Sequence, residues 1–430
     1  MNEQQELEFP WLASQPILGQ QVDHRERRGL RLFRRNTILY VIASILLIIG
    51  FLSTVLGMSE LVTPHVQSST IVTHKNNSRQ PVGSTPQITP TVPSAQNALI
   101  VSQVDSLLTK QAAHQQFSGS VLIARDGKVL LSKGYSMADW DRQIPNTSHT
   151  EFYLGSTTKQ FTAMAILILQ EQGKLHVHDR LCSYISPCPS AWEPVTIYEL
   201  LTHTSGIPQL DDSELSGESP QAWIASYDSV PLAFPAGSHY TYCSVCYQIM
   251  GYVVEEVSKE PYSTFLQQEI FDPLQMKNTS FDSGYYSQPD HAVGYASWQV
   301  KAVQLGWAIA PQWSFLFGSG LLHTNVEDLY RWDQALYTNR LISQQSLNAA
   351  FTPYVGSQYT GSSYGYGWFI AKAPAPGHRL IWHDGRIDGF RTYIGRHPDD
   401  KVTIIFLSNL ATLDELALAN TLEHIVFAHV

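Results

Sequence analysis

The segment running from Phe152 to Gln172 reads FYLGSTTKQFTAMAILILQEQ. Phe161, Met164, Ala165 and Leu167 to Leu169 recur at helical spacing, so a buried helix is predicted from Ser156 to about Gln172. That burial carries two polar residues inward with it. Ser156 and Lys159 lie three positions apart, and such residues are neighbours on a helix surface. A serine hydroxyl is a poor nucleophile until a neighbour takes its proton, and a lysine in a crowded, partly buried site has its pKa lowered towards that task. A lone Ser-x-x-Lys arises by chance in a chain of this length, so its meaning depends on the residues downstream of it.

Two further stretches come later in chain order. Pro235-Ala236-Gly237-Ser238-His239-Tyr240-Thr241-Tyr242-Cys243-Ser244 precedes a helical run from Tyr247 to Val257. His383-Asp384-Gly385 sits between the apolar segments Leu380-Ile381-Trp382 and Phe390 to Ile394. A Ser-x-x-Lys, then a tyrosine, then a basic residue with glycine two later, resembles the penicillin-recognising serine hydrolases. These are the class C β-lactamases, the low-molecular-mass DD-peptidases and related esterases. Leu200 to Pro208 (LLTHTSGIP), Gly318 to Thr324 (GSGLLHT) and Tyr366-Gly367-Trp368 are similar to supporting stretches of that family. The likeness runs from about Asn97 to the C-terminus.

The resemblance implies roles. Ser156 would attack a carbonyl and form an acyl-enzyme. Lys159 would keep either itself or Tyr242 available as proton acceptor, and Tyr242 would shuttle the proton to the leaving group. The backbone N–H groups of Ser156 and Arg386, beside Gly385, would form the oxyanion hole. His383 stands at the family's lysine-or-histidine position and would steer a substrate carboxylate or hydrogen-bond the tyrosine. Ser244 replaces the asparagine usual two residues after the tyrosine. Its shorter hydroxyl cannot span the same gap, which weighs against amide recognition more than against ester hydrolysis. The substrate class is therefore a D-alanyl peptide, a β-lactam or a small ester. A β-lactamase proper and a non-catalytic binder of peptidoglycan or β-lactam are the alternatives, and nothing calls for a cofactor or metal.

Charge and hydropathy add a location. Lys+Arg is 27 and Asp+Glu is 37, a net charge of -10 that implies no nucleic-acid partner. Thr37 to Gly57 (TILYVIASILLIIGFLSTVLG) carries no charge and is long enough to cross a bilayer as a helix. Arg25, Arg27, Arg28, Arg31, Arg34 and Arg35 precede it, and no Lys or Arg occurs after it until Lys75. The positive-inside tendency then leaves the N-terminus cytoplasmic and exports the remainder, a single-pass arrangement in the cell membrane. Residues 1–36 read as a cytoplasmic tail, 37–57 as the transmembrane helix, 58–97 as a Ser/Thr/Pro-rich linker and 98–430 as the hydrolase domain.

Within that domain, Gly119 to Leu131 reads as strand, Asp-Gly turn, strand. Helices are expected from Ser156 to about Gln172 and from Tyr242 through Leu266. Strands return near Tyr366 to Ala371, Arg379 to His383, Phe390 to His397 and Val402 to Ser408, with a closing helix from Leu413. The fold class is α/β of the α+β type: an antiparallel sheet flanked by helices, with a mainly helical lobe over Lys174 to Gln299. In an exported domain the four cysteines invite disulfides. Cys182 is expected to pair with Cys188, and Cys243 with Cys246 unless the connectivity crosses. His203 reads as a buried residue shaping the Thr202 to Gly206 turn, and Asp384 as a turn or surface residue. The side chains of Arg386 and Arg391 read as solvated, with binding of an anionic substrate group as the rival. The sequence is silent on oligomeric state.

Overall fold

Alternation decides the architecture. Along Gly119–Arg125 (β1), Val121 and Ile123 point to one side and Leu122 and Ala124 to the other, and all four are buried. A strand buried on both faces needs helices above and below it. The computed structural model, which describes residues 95–210, 219–281, 290–302, 318–357, 361–372 and 378–428, supplies both layers. The expected tail and transmembrane segment and nearly all of the linker lie outside the described residues. Among those described, no helix is long and apolar enough to cross a membrane.

Among the described residues, eight strands form one antiparallel sheet. They are β1, β2 (Lys128–Tyr135), β3 (Val355–Gly356), β4 (Ser363–Tyr364), β5 (Phe369–Lys372), β6 (Arg379–Ile387), β7 (Phe390–His397) and β8 (Val402–Ser408), in the spatial order β2-β1-β8-β7-β6-β5-β4-β3. The first hairpin therefore pairs with the last strand of the chain, with Val121 opposite Phe406. The outer face is covered by α1 (Ala95–Ala113) and α6 (Glu415–Phe427), whose Ile100, Val104, Leu108, Leu418, Leu422 and Val426 pack on Val121, Ile123, Ile404 and Phe406. The first turn of α1 starts inside the range expected to be linker.

The inner face packs on the helical lobe. Leu122, Ile394, Ile405 and Leu407 join one cluster with α2 (Lys159–Glu171), α3 (Ile197–Leu201), α4 (Ser244–Ser258) and α5 (Val326–Ala335). In α2 every residue from Lys159 to Leu169 is buried, which is why the segment tolerates so few charges. The helix expected from Tyr242 to Leu266 is two. The first ends at Lys259 in the left-handed conformation (φ 65°), and Pro261 leads into Tyr262–Leu266. Sequence reading stopped β6 at His383, but the strand continues to Ile387. The Asp388-Gly389 pair, with Gly389 at φ 80°, is the hairpin turn that joins it to β7.

Candidate active site

The Ser156 turn is held by contacts from two strands. Residues Gly155–Thr158 form a short 3-10 turn, and α2 starts at Lys159. Thr392 of β7 donates its hydroxyl to the Leu154 carbonyl at 2.7 Å and lies 3.1 Å from the Thr157 hydroxyl. Gly385 of β6 fits here because it has no side chain: a Cβ at that position would stand 1.9 Å from the Leu154 oxygen. Gly155, at φ 55°, would likewise place a Cβ 2.7 Å from the Arg386 nitrogen. The Ser156 turn and the Arg386 backbone are thus brought together by two glycines.

Lys159 is fully buried, and its Nζ donates to Ser156 Oγ at 2.9 Å and to the Ser319 carbonyl at 2.8 Å. The same nitrogen sits 5.0 Å above the Tyr242 ring centre and 5.8 Å above that of Tyr247. Burial drives the Lys159 pKa down to about 7, while the Asp384 carboxylate pulls it upward. At neutral pH a large share of this amine is therefore unprotonated and able to accept the serine proton. Gly318-Ser319-Gly320 serves this arrangement through its main chain. A Cβ on Gly318 would meet the Tyr247 carbonyl at 2.5 Å, so glycine permits the close approach that presents the Ser319 oxygen.

Tyr242 reaches the same place from the loop before α4. Its hydroxyl is buried and makes no well-formed hydrogen bond among the described residues, although proximity to Ser156 favours its ionised form. Burial outweighs that effect and holds its pKa well above 10. Lys159 addresses the ring face of Tyr242 rather than its oxygen, so the cation does not make the phenol a base. His203 fixes this tyrosine from both sides. Its carbonyl accepts from Thr241 N–H at 2.9 Å, its Nδ1 accepts from Cys243 N–H at 3.0 Å, and its ring lies 4.3 Å from the Tyr242 ring. The histidine is buried and kept neutral, first by desolvation and then by Lys159. A positive backbone φ of 59° aims it there.

A cavity of about 220 Å3 opens on this cluster, lined by Ser156, Tyr242, Phe369, Asp384 and Arg386. A hydroxyl held by a low-pKa amine, in a hollow rimmed by a phenol and a neighbouring backbone amide, is suited to acyl transfer. The model of the protein family described as beta-lactamase matches residues 104–426. The chain belongs to the beta-lactamase family.

The relatives of this beta-lactamase-family chain agree with that membership, a family of serine hydrolases. PbpX of Bacillus subtilis is 32% identical over 307 residues, 71% of this chain and 73% of that protein. A penicillin-binding protein of the same species is 29% identical over 332 residues, covering 73% of each. Among solved structures, an octameric penicillin-binding protein homologue from Pyrococcus abyssi has a TM-score of 0.67 at 26% identity, covering 76% of this chain and 77% of that one. A β-lactamase/D-alanine carboxypeptidase from Pseudomonas syringae shares the fold, with a TM-score of 0.66 at 20% identity over 78% of this chain and 99% of that one.

Not every site residue expected from the family pattern faces the cavity. His383 is not among the residues lining it, and its ring lies 6.3 Å from that of Tyr242. Its Nδ1 is 2.6 Å from the Asp384 carbonyl, so that nitrogen carries the proton, and Nε2 accepts from the Tyr364 hydroxyl at 3.2 Å. Buried and close to Lys159, it titrates only at about 3 and stays neutral. A neutral ring with both nitrogens engaged does not steer a substrate carboxylate. Ser244 begins α4 and is not among the residues lining the cavity. The Arg386 side chain pairs with Glu415 and lies 3.7 Å from Asp384, and Arg391 lies 3.9 Å from Glu415, so both arginines are engaged by acids. The cysteines pair locally, Cys182 with Cys188 and Cys243 with Cys246, the second bridge spanning the first turn of α4.

Asp384 is the residue whose place sequence reading missed. It is no surface turn: its side chain is 13% exposed and lines the cavity. Burial, reinforced by Glu415 and opposed by Arg386, raises its pKa to about 6. The Asp388-Gly389 hairpin signal was the clue, because it requires β6 to run through Asp384 with alternating faces.

Proposed function

We propose that this protein hydrolyses an ester or amide through an acyl-enzyme on Ser156. The observation that carries the reading is the 2.9 Å contact between Ser156 Oγ and a buried Lys159 whose pKa lies at about 7. Lys159 takes the serine proton as Oγ bonds to the substrate carbonyl carbon. The oxyanion is received by the backbone N–H groups of Ser156 and Arg386. As the intermediate collapses, Lys159 returns its proton directly to the leaving group, while the Tyr242 hydroxyl beside Ser156 remains protonated and donates a hydrogen bond to the departing atom. Water then attacks the acyl-enzyme, with Lys159 again as proton acceptor, and releases the acid.

Asp384 narrows the substrate. Ionised above about pH 6, it presents negative charge to the cavity, with Arg386 already turned to Glu415. An anionic carboxylate on the substrate is disfavoured there, so esters and amides without one are preferred over carboxylate-terminated peptides and penicillins. A chromogenic ester and a fluorescent penicillin, offered to wild type and Ser156→Ala, test this. Ester turnover that Ser156→Ala abolishes, without lasting penicillin labelling, is expected. Lasting labelling of Ser156 points to a peptidase or penicillin sensor, and the absence of both signals in folded protein overturns the hydrolase reading.

The same proposal sets the enzyme outside the cell, held by Thr37 to Gly57. What supports this is the charge-free run and the arginines before it. N-terminal sequencing of the membrane fraction is expected to return residues from the Met1 side. A mature start near residue 58 would replace the anchor with a cleaved leader.

A further inference from the structure

We propose that Glu151, His291 and His323 form a binding site for a divalent transition-metal ion of the zinc class, separate from the reaction cavity. One carboxylate oxygen, Glu151 Oε2, lies 2.9 Å from His291 Nε2 and 2.9 Å from His323 Nδ1. All three donor atoms fall within 4.8 Å of one another, and the residues are 9%, 6% and 2% exposed. Two imidazoles and a carboxylate suit zinc, and three protein ligands leave a fourth position for water.

The backbone under these side chains is already fixed. Tyr153 is registered opposite His323, Glu151 bridges to His291, and Ser280 bridges to His323. Glu151 N–H donates to Asp290 at 2.9 Å, and Ala292 N–H donates to Glu151 at 3.0 Å. The donors therefore do not need to be gathered when an ion arrives. Ser280 completes the arrangement, with its hydroxyl 3.1 Å from His323 Nε2. When that hydroxyl accepts the Nε2 proton, Nδ1 and the Glu151 oxygen are two lone-pair bearers facing each other at 2.9 Å, which a cation reconciles. In the opposite tautomer Nδ1–H donates to Glu151 and no ion is required. The two tautomers make different, measurable predictions.

Position gives the site its consequence. Glu151 stands just ahead of the Ser156 turn, and His323 just after Ser319, whose carbonyl receives Lys159. An ion here ties together the two segments that place the nucleophile and its base. None of the three ligands lines the cavity, so its role is positioning rather than chemistry.

The test uses full-length protein made without a histidine tag, stripped with chelator and titrated with Zn2+ and, separately, Co2+. One ion per chain is expected, with a melting temperature that rises with free zinc and visible bands from the cobalt form. Zinc-edge absorption on wild type should report two imidazole ligands. His323→Gln and His291→Gln should lose the stoichiometric site. Ser280→Ala, which keeps every ligand, should weaken binding about 10–100-fold. Equal zinc binding by wild type and His323→Gln would overturn the proposal, as would no stoichiometric binding or a spectrum without two histidines. The wild-type spectrum decides even where a variant fails to fold. Binding is read without turnover, so its failure is distinct from failure of the acyl-enzyme reading.

Discussion

Asp384 and Lys159 are electrostatically coupled. The carboxylate opposes the burial that brings the lysine down to about 7, and the lysine in turn lowers the pKa of the aspartate, which burial and Glu415 raise to about 6. In the proposed mechanism this pair sets the pH at which Lys159 can act as base.

Lys159 must be unprotonated to accept a proton, so kcat/KM for an ester is expected to climb with pH on an acid limb near pH 7. Asp384→Asn removes the charge that favours the ammonium, and the limb should move to lower pH. The same variant should raise acylation by a carboxylate-bearing penicillin relative to the ester. A pH–rate profile of both proteins checks the first effect and paired second-order rate constants check the second. An unmoved limb would show that Asp384 does not act on Lys159.

Lys159→Met should be inactive yet more heat-stable. A fall from 10.5 to about 7 means the fold penalises the charged lysine by about 4–5 kcal/mol. The sign comes from the depressed folded pKa. The penalty is complete below about 7 and disappears above the unfolded value of 10.5. Methionine fills the same volume without charge, so its gain in melting temperature should be largest below pH 7 and shrink as pH rises. Calorimetry across that range reads it.

His203 is expected to act through Tyr242. His203→Ala removes the acceptor for Cys243 N–H and the ring packed on the tyrosine, and should cut kcat strongly with little change in KM. The cavity left behind should cost about 2–4 kcal/mol of stability. His203→Asn offers a carbonyl oxygen near the old Nδ1 and should recover part of kcat. A merely structural histidine would show the stability loss without that partial recovery.

Gly385→Ala drives a methyl group against the Leu154 carbonyl, where the gap is 1.9 Å. The Ser156 turn must shift away from the Arg386 amide. Ester turnover should fall about a hundredfold or more, the scale of losing one oxyanion donor, and stability by about 1–3 kcal/mol. Kinetics on protein shown to be folded by circular dichroism tests it, and near-normal turnover would disprove the close approach.

Much of this molecule was legible in the chain itself. Local pattern located α2 and the strands at Phe390–His397 and Val402–Ser408, and the Asp-Gly turn located the β1–β2 hairpin, because burial and turn chemistry are both written in neighbouring residues. Spacing made Ser156 and Lys159 neighbours, and the resemblance to the penicillin-recognising hydrolases pointed to them and to Tyr242 before any coordinates. What spacing cannot carry is environment. The Lys159 pKa depends on burial by residues scattered from Ser319 to Tyr242, and the roles of Asp384 and His383 depend on which face of β6 each occupies. The grip of His203 on Tyr242 and the meeting of Glu151, His291 and His323 join segments far apart in sequence. Desolvation and long-range pairing are properties of the packed chain, so only the tertiary structure could decide them.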